Sequence, residues 1–205
     1  MVWTASSSGT YSLKSTSAFL MGQQLRVPWQ NLVWESPVIP RMKFNLWLTV
    51  QSKLPTLDSK SMAQHENICV LCRAQPETHD HLFFNCCFVS PLWRFIKQRA
   101  HFYSSITNWD DLIHFTSNQW KKNTASNLIR KICFSSIVYH TWEERNERIF
   151  RGKKASQRLV LTRICNTIIY ILKLGCLQKL HASNRILCEW DLLPSSSRPP
   201  PRPPD

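Results

Sequence analysis

Residues Cys69-Val70-Leu71-Cys72-Arg73-Ala74-Gln75-Pro76-Glu77-Thr78-His79-Asp80-His81-Leu82-Phe83-Phe84-Asn85-Cys86-Cys87 pack four cysteines and two histidines into one short stretch. A closed, structural zinc site takes four nitrogen and sulfur ligands in a tetrahedron. A C-x2-C pair can offer both sulfurs to one ion because the chain turns tightly between them. An eight-residue arm then brings a His-x4-Cys pair back to the other side. Cys69, Cys72, His81 and Cys86 satisfy this pattern as C-x2-C-x8-H-x4-C, and the reading is one structural Zn2+. On spacing alone, His79 can replace His81 and Cys87 can replace Cys86. The competing readings are weaker. Buried free cysteines behave as small hydrophobes, but three of them and a histidine at closed-site spacing ask for more than that. A redox C-x2-C wants a βαβ context, which this sequence lacks. Catalytic zinc needs an open coordination position, and four good ligands leave none.

Continued to Trp93, the same stretch resembles the zinc-binding domain found behind the reverse transcriptase of plant LINE-type (non-LTR) retrotransposons. That family's signature runs roughly C-x2-C, a short polar arm, E-[ST]-x-x-H-L-F-x-x-C, and a tryptophan a few residues on. Glu77, Thr78, His81, Leu82, Phe83 and Cys86 fall on it. The resemblance implies that His81 and Cys86 are the third and fourth ligands and that His79 and Cys87 are bystanders. It continues through Trp3, a serine-glycine turn and Tyr11-Ser12-Leu13-Lys14-Ser15, then an aromatic-rich helix with Leu46-Trp47 and a Leu54-Pro55-Thr56 turn. A looser likeness ends at Trp142-x-x-Arg145-Asn146-x-x-Ile149-Phe150. It implies a module that engages template RNA or target DNA. A polymerase needs an aspartate pair on a hairpin to hold two metals; Asp110-Asp111 follows Trp109 but sits in helix-like sequence. No ribonuclease-H-type segment is found either. The expectation is a retrotransposon-derived module, not an enzyme, with no small-molecule substrate.

The chain carries 26 Lys and Arg against 13 Asp and Glu, a net charge of +13. Such a balance favours an anionic partner, RNA or single-stranded DNA. The basic residues expected to meet phosphates are Lys121, Lys122, Arg130, Lys131, Arg151, Lys153, Lys154 and Arg158. A protein partner, reached through the C-terminal helix or a proline-rich tail suited to an SH3 or WW groove, is the alternative, and a non-functional retroelement remnant is another. The N-terminal residues show no basic n-region and no apolar h-region. No apolar run reaches the length of a membrane span. With cysteines clustered at the metal pattern or scattered through helical sequence, the reading is a reducing, nuclear or cytoplasmic compartment.

Four glycines in 205 residues favour helices over hairpins. The fold class expected is mainly α, a small zinc-binding module with a short N-terminal β/turn segment, followed by a helical region and a disordered proline-rich tail. The divisions are a lead-in over 1–27, the zinc-binding domain over 28–100, a helical region over 101–185, and the Pro/Ser-rich tail over 186–205. A short strand is expected at residues 11–13, then a helix over 17–25 capped by Ser15 or Thr16. Further helices are expected from Pro40 to about Lys53, over 57–64 behind Thr56, from Ser90-Pro91 to Ala100, behind Thr107 or Asn108, over 126–150, and over 155–179. The aromatic residues of 28–53 read as core.

Overall fold

Capping chemistry in the sequence sets most helix starts. In a computed structural model, which describes residues 4, 9–21, 27–58, 67–104, 106, 108–176 and 190, seven α-helices run in order among the described residues. They are α1 (Leu13–Met21), α2 (Gln30–Val33), α3 (Pro40–Val50), α4 (Ser90–Arg99), α5 (Trp109–Gln119), α6 (Ala125–Arg151) and α7 (Gln157–Ile171). Asn108, Thr124 and Ser156 each accept a backbone N–H with the side chain, capping α5, α6 and α7. Pro40 and Pro91 lie in the first turns of α3 and α4, where a missing N–H costs nothing. Gly152 ends α6 at φ 63°, in the left-handed region that glycine enters without strain.

Several expectations are corrected here. Residues 11–13 form no strand. Ser12 and Ser15 instead cap each other, Ser15 N donating to Ser12 Oγ at 3.1 Å and Ser12 N to Ser15 Oγ at 3.2 Å, so α1 starts at Leu13. Tyr11 and Leu13 are 64% and 80% exposed, which leaves a strand no face to bury. Ser90 opens α4 as its first residue, and the cap position falls to Val89 without a side-chain bond. The helix expected over 57–64 is a turn at Leu57 and Asp58; its remainder, like the proline-rich tail, lies outside the described residues. Among the described residues the only β pairing is an isolated antiparallel bridge between Ile68 and Pro76. The fold is mainly helical.

Helix α6 is the axis. Ile129, Ile132, Cys133, Phe134, Ile137 and Val138 are buried along it. Met42 and Leu46 of α3, Trp93 and Ile96 of α4, and Ile164 and Ile168 of α7 belong to the same hydrophobic cluster. At its centre the Phe134 ring meets Trp93 at 5.3 Å, Trp109 at 5.8 Å and Trp120 at 5.9 Å. The cluster runs without a break across residue 100, so the Cys/His stretch and the helices after it share one core. Not every aromatic is inside: Trp34 and Phe44 are 47% and 54% exposed. No described helix is long and apolar enough to cross a membrane. The described cysteines are all free thiols.

Phe134 fills the space between three tryptophans, so Phe134→Ala leaves a cavity its rigid neighbours cannot close. The expected loss is about 3–5 kcal/mol, read from the shift of a denaturant unfolding curve.

Candidate metal centre

Cys69 and Cys72 sit on a tight knuckle. Cys69 N donates to Gln75 O at 2.9 Å, Arg73 N to Cys69 O at 2.8 Å, and Glu77 N to Asn67 O at 2.9 Å. Arg73 takes φ 56°, the left-handed conformation that turns the chain back behind Cys72. His81 and Cys86 come from a single π-helical turn, His81–Asn85, closed by Cys86 N donating to His81 O at 2.7 Å. The wide turn has a geometric purpose. Five residues of ordinary α-helix would place the two ligands about 140° apart around the axis. The wider turn and the extended backbone of Cys86 (φ −61°, ψ 130°) bring them to one side. Thr78 starts this turn, its hydroxyl accepting from His81 N at 3.1 Å.

The four side chains converge. Their ligand atoms all lie within 4.8 Å of one another, with Cys69, His81 and Cys86 buried and Cys72 partly so. Cys69 Sγ and Cys86 Sγ are 3.8 Å apart, and Cys72 Sγ is 3.3 Å from His81 Nε2. Tetrahedral ligation at ordinary zinc distances would require sulfurs about 3.8 Å apart and a sulfur–nitrogen edge of about 3.6 Å, so the donor set fits such an ion. The hydrogen bond between the two thiols holds Cys69 below the usual thiol range. The same interaction pushes Cys86 up, and burial raises Cys72.

The alternatives left open by spacing separate cleanly. Cys87 is exposed and outside the cluster. His79 points into the core instead, 4.9 Å from the Phe83 ring and 5.4 Å from Trp109. Burial holds its imidazole below the usual range, as suits a neutral ring among aromatics.

Sequence reasoning missed the clamp that holds the knuckle. Glu77 and Arg145, both fully buried, form an ion pair at 2.9 Å. Glu77 Oε1 accepts from Arg145 Nε, Arg145 Nη2 and Leu57 N, while Arg145 Nη2 also donates to Pro55 O at 3.0 Å. One turn on, Arg148 Nη1 donates to the carbonyls of Val70 and Leu71 at 3.1 and 2.9 Å, the two residues between the knuckle cysteines. Glu144 braces it at 2.8 Å. Asp80 accepts from Trp109 N at 2.7 Å and ties the π turn to the start of α5. Gln157 donates to Phe88 O at 2.7 Å, tying α7 to the chain just after Cys86. The Trp142-x-x-Arg145-Asn146 likeness was the available signal, but it carried no role.

The eight basic residues expected at phosphates divide. Lys121, Lys122, Lys153, Lys154 and Arg158 are exposed. Arg151 is exposed and bonded to Glu147 at 2.8 Å. Two belong elsewhere. Arg130 donates to Ala100 O at 3.2 Å and His101 O at 3.0 Å, so its guanidinium is a strut. Lys131 is fully buried, with Nζ on Asn123 Oδ1 at 3.2 Å, and is withdrawn from any surface. The exposed lysines do not form one stripe either. Lys121 and Lys122 precede α6 and Lys153 and Lys154 follow it, so about 40 Å of helix separates them. Asp110 and Asp111 lie in the first turn of α5, where negative charge suits the helix dipole.

A Cys3His cluster on a knuckle and a helical turn could hold a metal ion, and its closed donor set is of the structural type. Residues 11–93 match the family model described as zinc-binding in reverse transcriptase. No curated protein and no solved structure matches the chain.

Ligand identity is testable by metal analysis of purified variants. His81→Ala and Cys86→Ser should each lose bound metal, while Cys87→Ser and His79→Asn keep full stoichiometry. Retention after Cys86→Ser with loss after Cys87→Ser would reverse the assignment. The clamp makes a separate prediction. Arg145→Met strands a buried carboxylate and should cost about 3–5 kcal/mol, whereas adding Glu77→Met to it should recover much of that loss in the same denaturant titration.

Proposed function

We propose that Cys69, Cys72, His81 and Cys86 bind one structural Zn2+, and that the folded chain engages RNA or single-stranded DNA through phosphate contacts. The convergence of four buried or part-buried donors within 4.8 Å carries the first half. When bound, the ion supplies a tetrahedral tie between knuckle and π turn, and its binding energy adds to folding energy. The chain's own residues do the rest. Arg148 orients the knuckle through its carbonyls, Thr78 starts the turn that presents His81, and the Glu77–Arg145 pair fixes both against α6.

The second half rests on charge. Lys121, Lys122, Lys153, Lys154 and Arg158 are exposed and pair with no carboxylate among the described residues, in a chain of net charge +13. Phosphate contacts of this kind position a nucleic acid without reading its sequence. The absence of an aspartate pair on a hairpin supports a binding module without polymerase chemistry, and the three thiol ligands suit a reducing nuclear or cytoplasmic setting. A protein-interaction module is the second reading, favoured by the exposed Trp34 and Phe44 rings that pack against Trp47 at 6.3 and 5.6 Å.

Affinity for a single strand should fall with salt by a log–log slope of roughly −0.7 per phosphate contacted. Reversing Lys153, Lys154 and Arg158 to Glu should weaken all sequences alike and flatten that slope by roughly 2. Absence of binding at low salt, with metal and helicity intact, would leave the protein-interaction reading or a retroelement remnant without activity.

A further inference from the structure

Helix α4 ends in a Schellman motif without glycine. His101 takes φ 47°, His101 N donates to Gln98 O at 3.2 Å, and Phe102 N donates to Lys97 O at 2.9 Å. The chain therefore folds back along the helix it has just left, and Arg130 pins the reversal through the carbonyls of Ala100 and His101. Between α4 and segment 102–104 lies an open groove of about 720 Å³, lined by Arg94, Lys97, Gln98, Phe102, Tyr103 and Ser104. Arg94, Lys97 and Gln98 stand at i, i+3 and i+4 and so share one helix face.

Three features set this groove apart from a solvated surface. Its floor is a half-buried ammonium. Lys97 Nζ lies 5.0 Å from the Phe84 ring centre, 5.4 Å from Phe102 and 6.0 Å from Trp93, with Ser104 Oγ at 3.5 Å. No described carboxylate pairs with it or with Arg94, and no acidic residue is among the described residues that line the groove. Burial lowers the Lys97 pKa, the mark of a charge short of a counterion. Finally, Tyr103 stands on the rim 72% exposed, an aromatic face with nothing on it from the described core cluster. Trp120, whose ring meets Phe102 edge-on at 5.0 Å, is followed in the chain by the exposed Lys121 and Lys122.

We infer that this groove binds one nucleotide unit of a single strand, with the base stacked on Tyr103 and a flanking phosphate held by Lys97 and Arg94. The inference rests on the nucleic-acid reading above and gives it a site. An aromatic platform beside cations is how sequence-tolerant single-strand sites are built, and Gln98 adds a donor and an acceptor at the base edge. Phe84 lies in the π turn between the ligands His81 and Cys86, so the floor of the groove and the metal centre share one backbone segment.

The test uses the full zinc-loaded chain and a labelled short oligouridylate at low salt, read by fluorescence anisotropy. Tyr103→Ala, an exposed change that leaves the core intact, should weaken binding roughly tenfold without altering the salt slope. Its effect should vanish on an abasic oligomer of the same length. Arg94→Gln with Lys97→Gln should instead flatten the slope by about 0.7, the share of one phosphate. Metal content and helicity are measured for each variant. If wild type binds and both sets of variants bind like it, the groove assignment is overturned while the broader nucleic-acid reading stands. If wild type does not bind, both fall. Displacement of the RNA by poly-aspartate as readily as by unlabelled RNA would also overturn the assignment, since an acidic peptide would then be the better occupant.

Discussion

The ion pair between Glu77 and Arg145 is the contact on which the metal module depends. Two fully buried charges are costly to desolvate, and hydrogen bonds offset that cost at Glu77 Oε1 only, since Oε2 is buried with no partner among the described residues. Here Glu77 Oε1 receives three N–H donors, and the guanidinium also reaches Pro55 O and lies 4.8 Å from the Trp142 ring centre. The result is a fixed register. Pro55 and Leu57 lie before the knuckle, Glu77 lies on the arm after it, and Arg145 joins both to one turn of α6. With Arg148 on the knuckle carbonyls, the cysteines are oriented by a helix that contributes no ligand.

The ligand set was legible because it is local. Spacing alone set Cys69 and Cys72, and the family likeness chose His81 and Cys86 over their neighbours; these four are the side chains that the structure brings together. The helix starts at Asn108, Pro40 and Pro91 were legible for the same reason, since caps and first turns are written in adjacent residues. The clamp was not, because Glu77 and Arg145 are 68 residues apart and each looks like an ordinary surface charge.

A signal was present all the same. Lys131, Val138 and Arg145 repeat at heptad spacing, so the stripe that buries Val138 passes through both cations. All three are buried. A cation on the apolar stripe of a long helix needs either a buried partner or a snorkelling route to water. Arg145 has the first in Glu77. Lys131 reaches only as far as Asn123 at the helix start. Reading charge by residue type, without asking which helix face it falls on, counted Lys131 among the cations expected to meet phosphates. The exposed lysines of that set sit at opposite ends of α6.

Distance along the chain also orders events in time. During synthesis at roughly 5–20 residues per second, Glu77 emerges about 3–14 s before Arg145 can reach it. Through that interval the knuckle has its thiols but neither its counter-charge nor the guanidinium that braces its carbonyls. The aromatic floor around Phe83 also waits for Trp109 and Trp142, whose rings meet it at 5.6 and 6.2 Å. The metal module is therefore encoded early and closed late. A nascent chain halted before α6 would expose reactive sulfur and an unpaired acid together, a species for chaperones and oxidants to find.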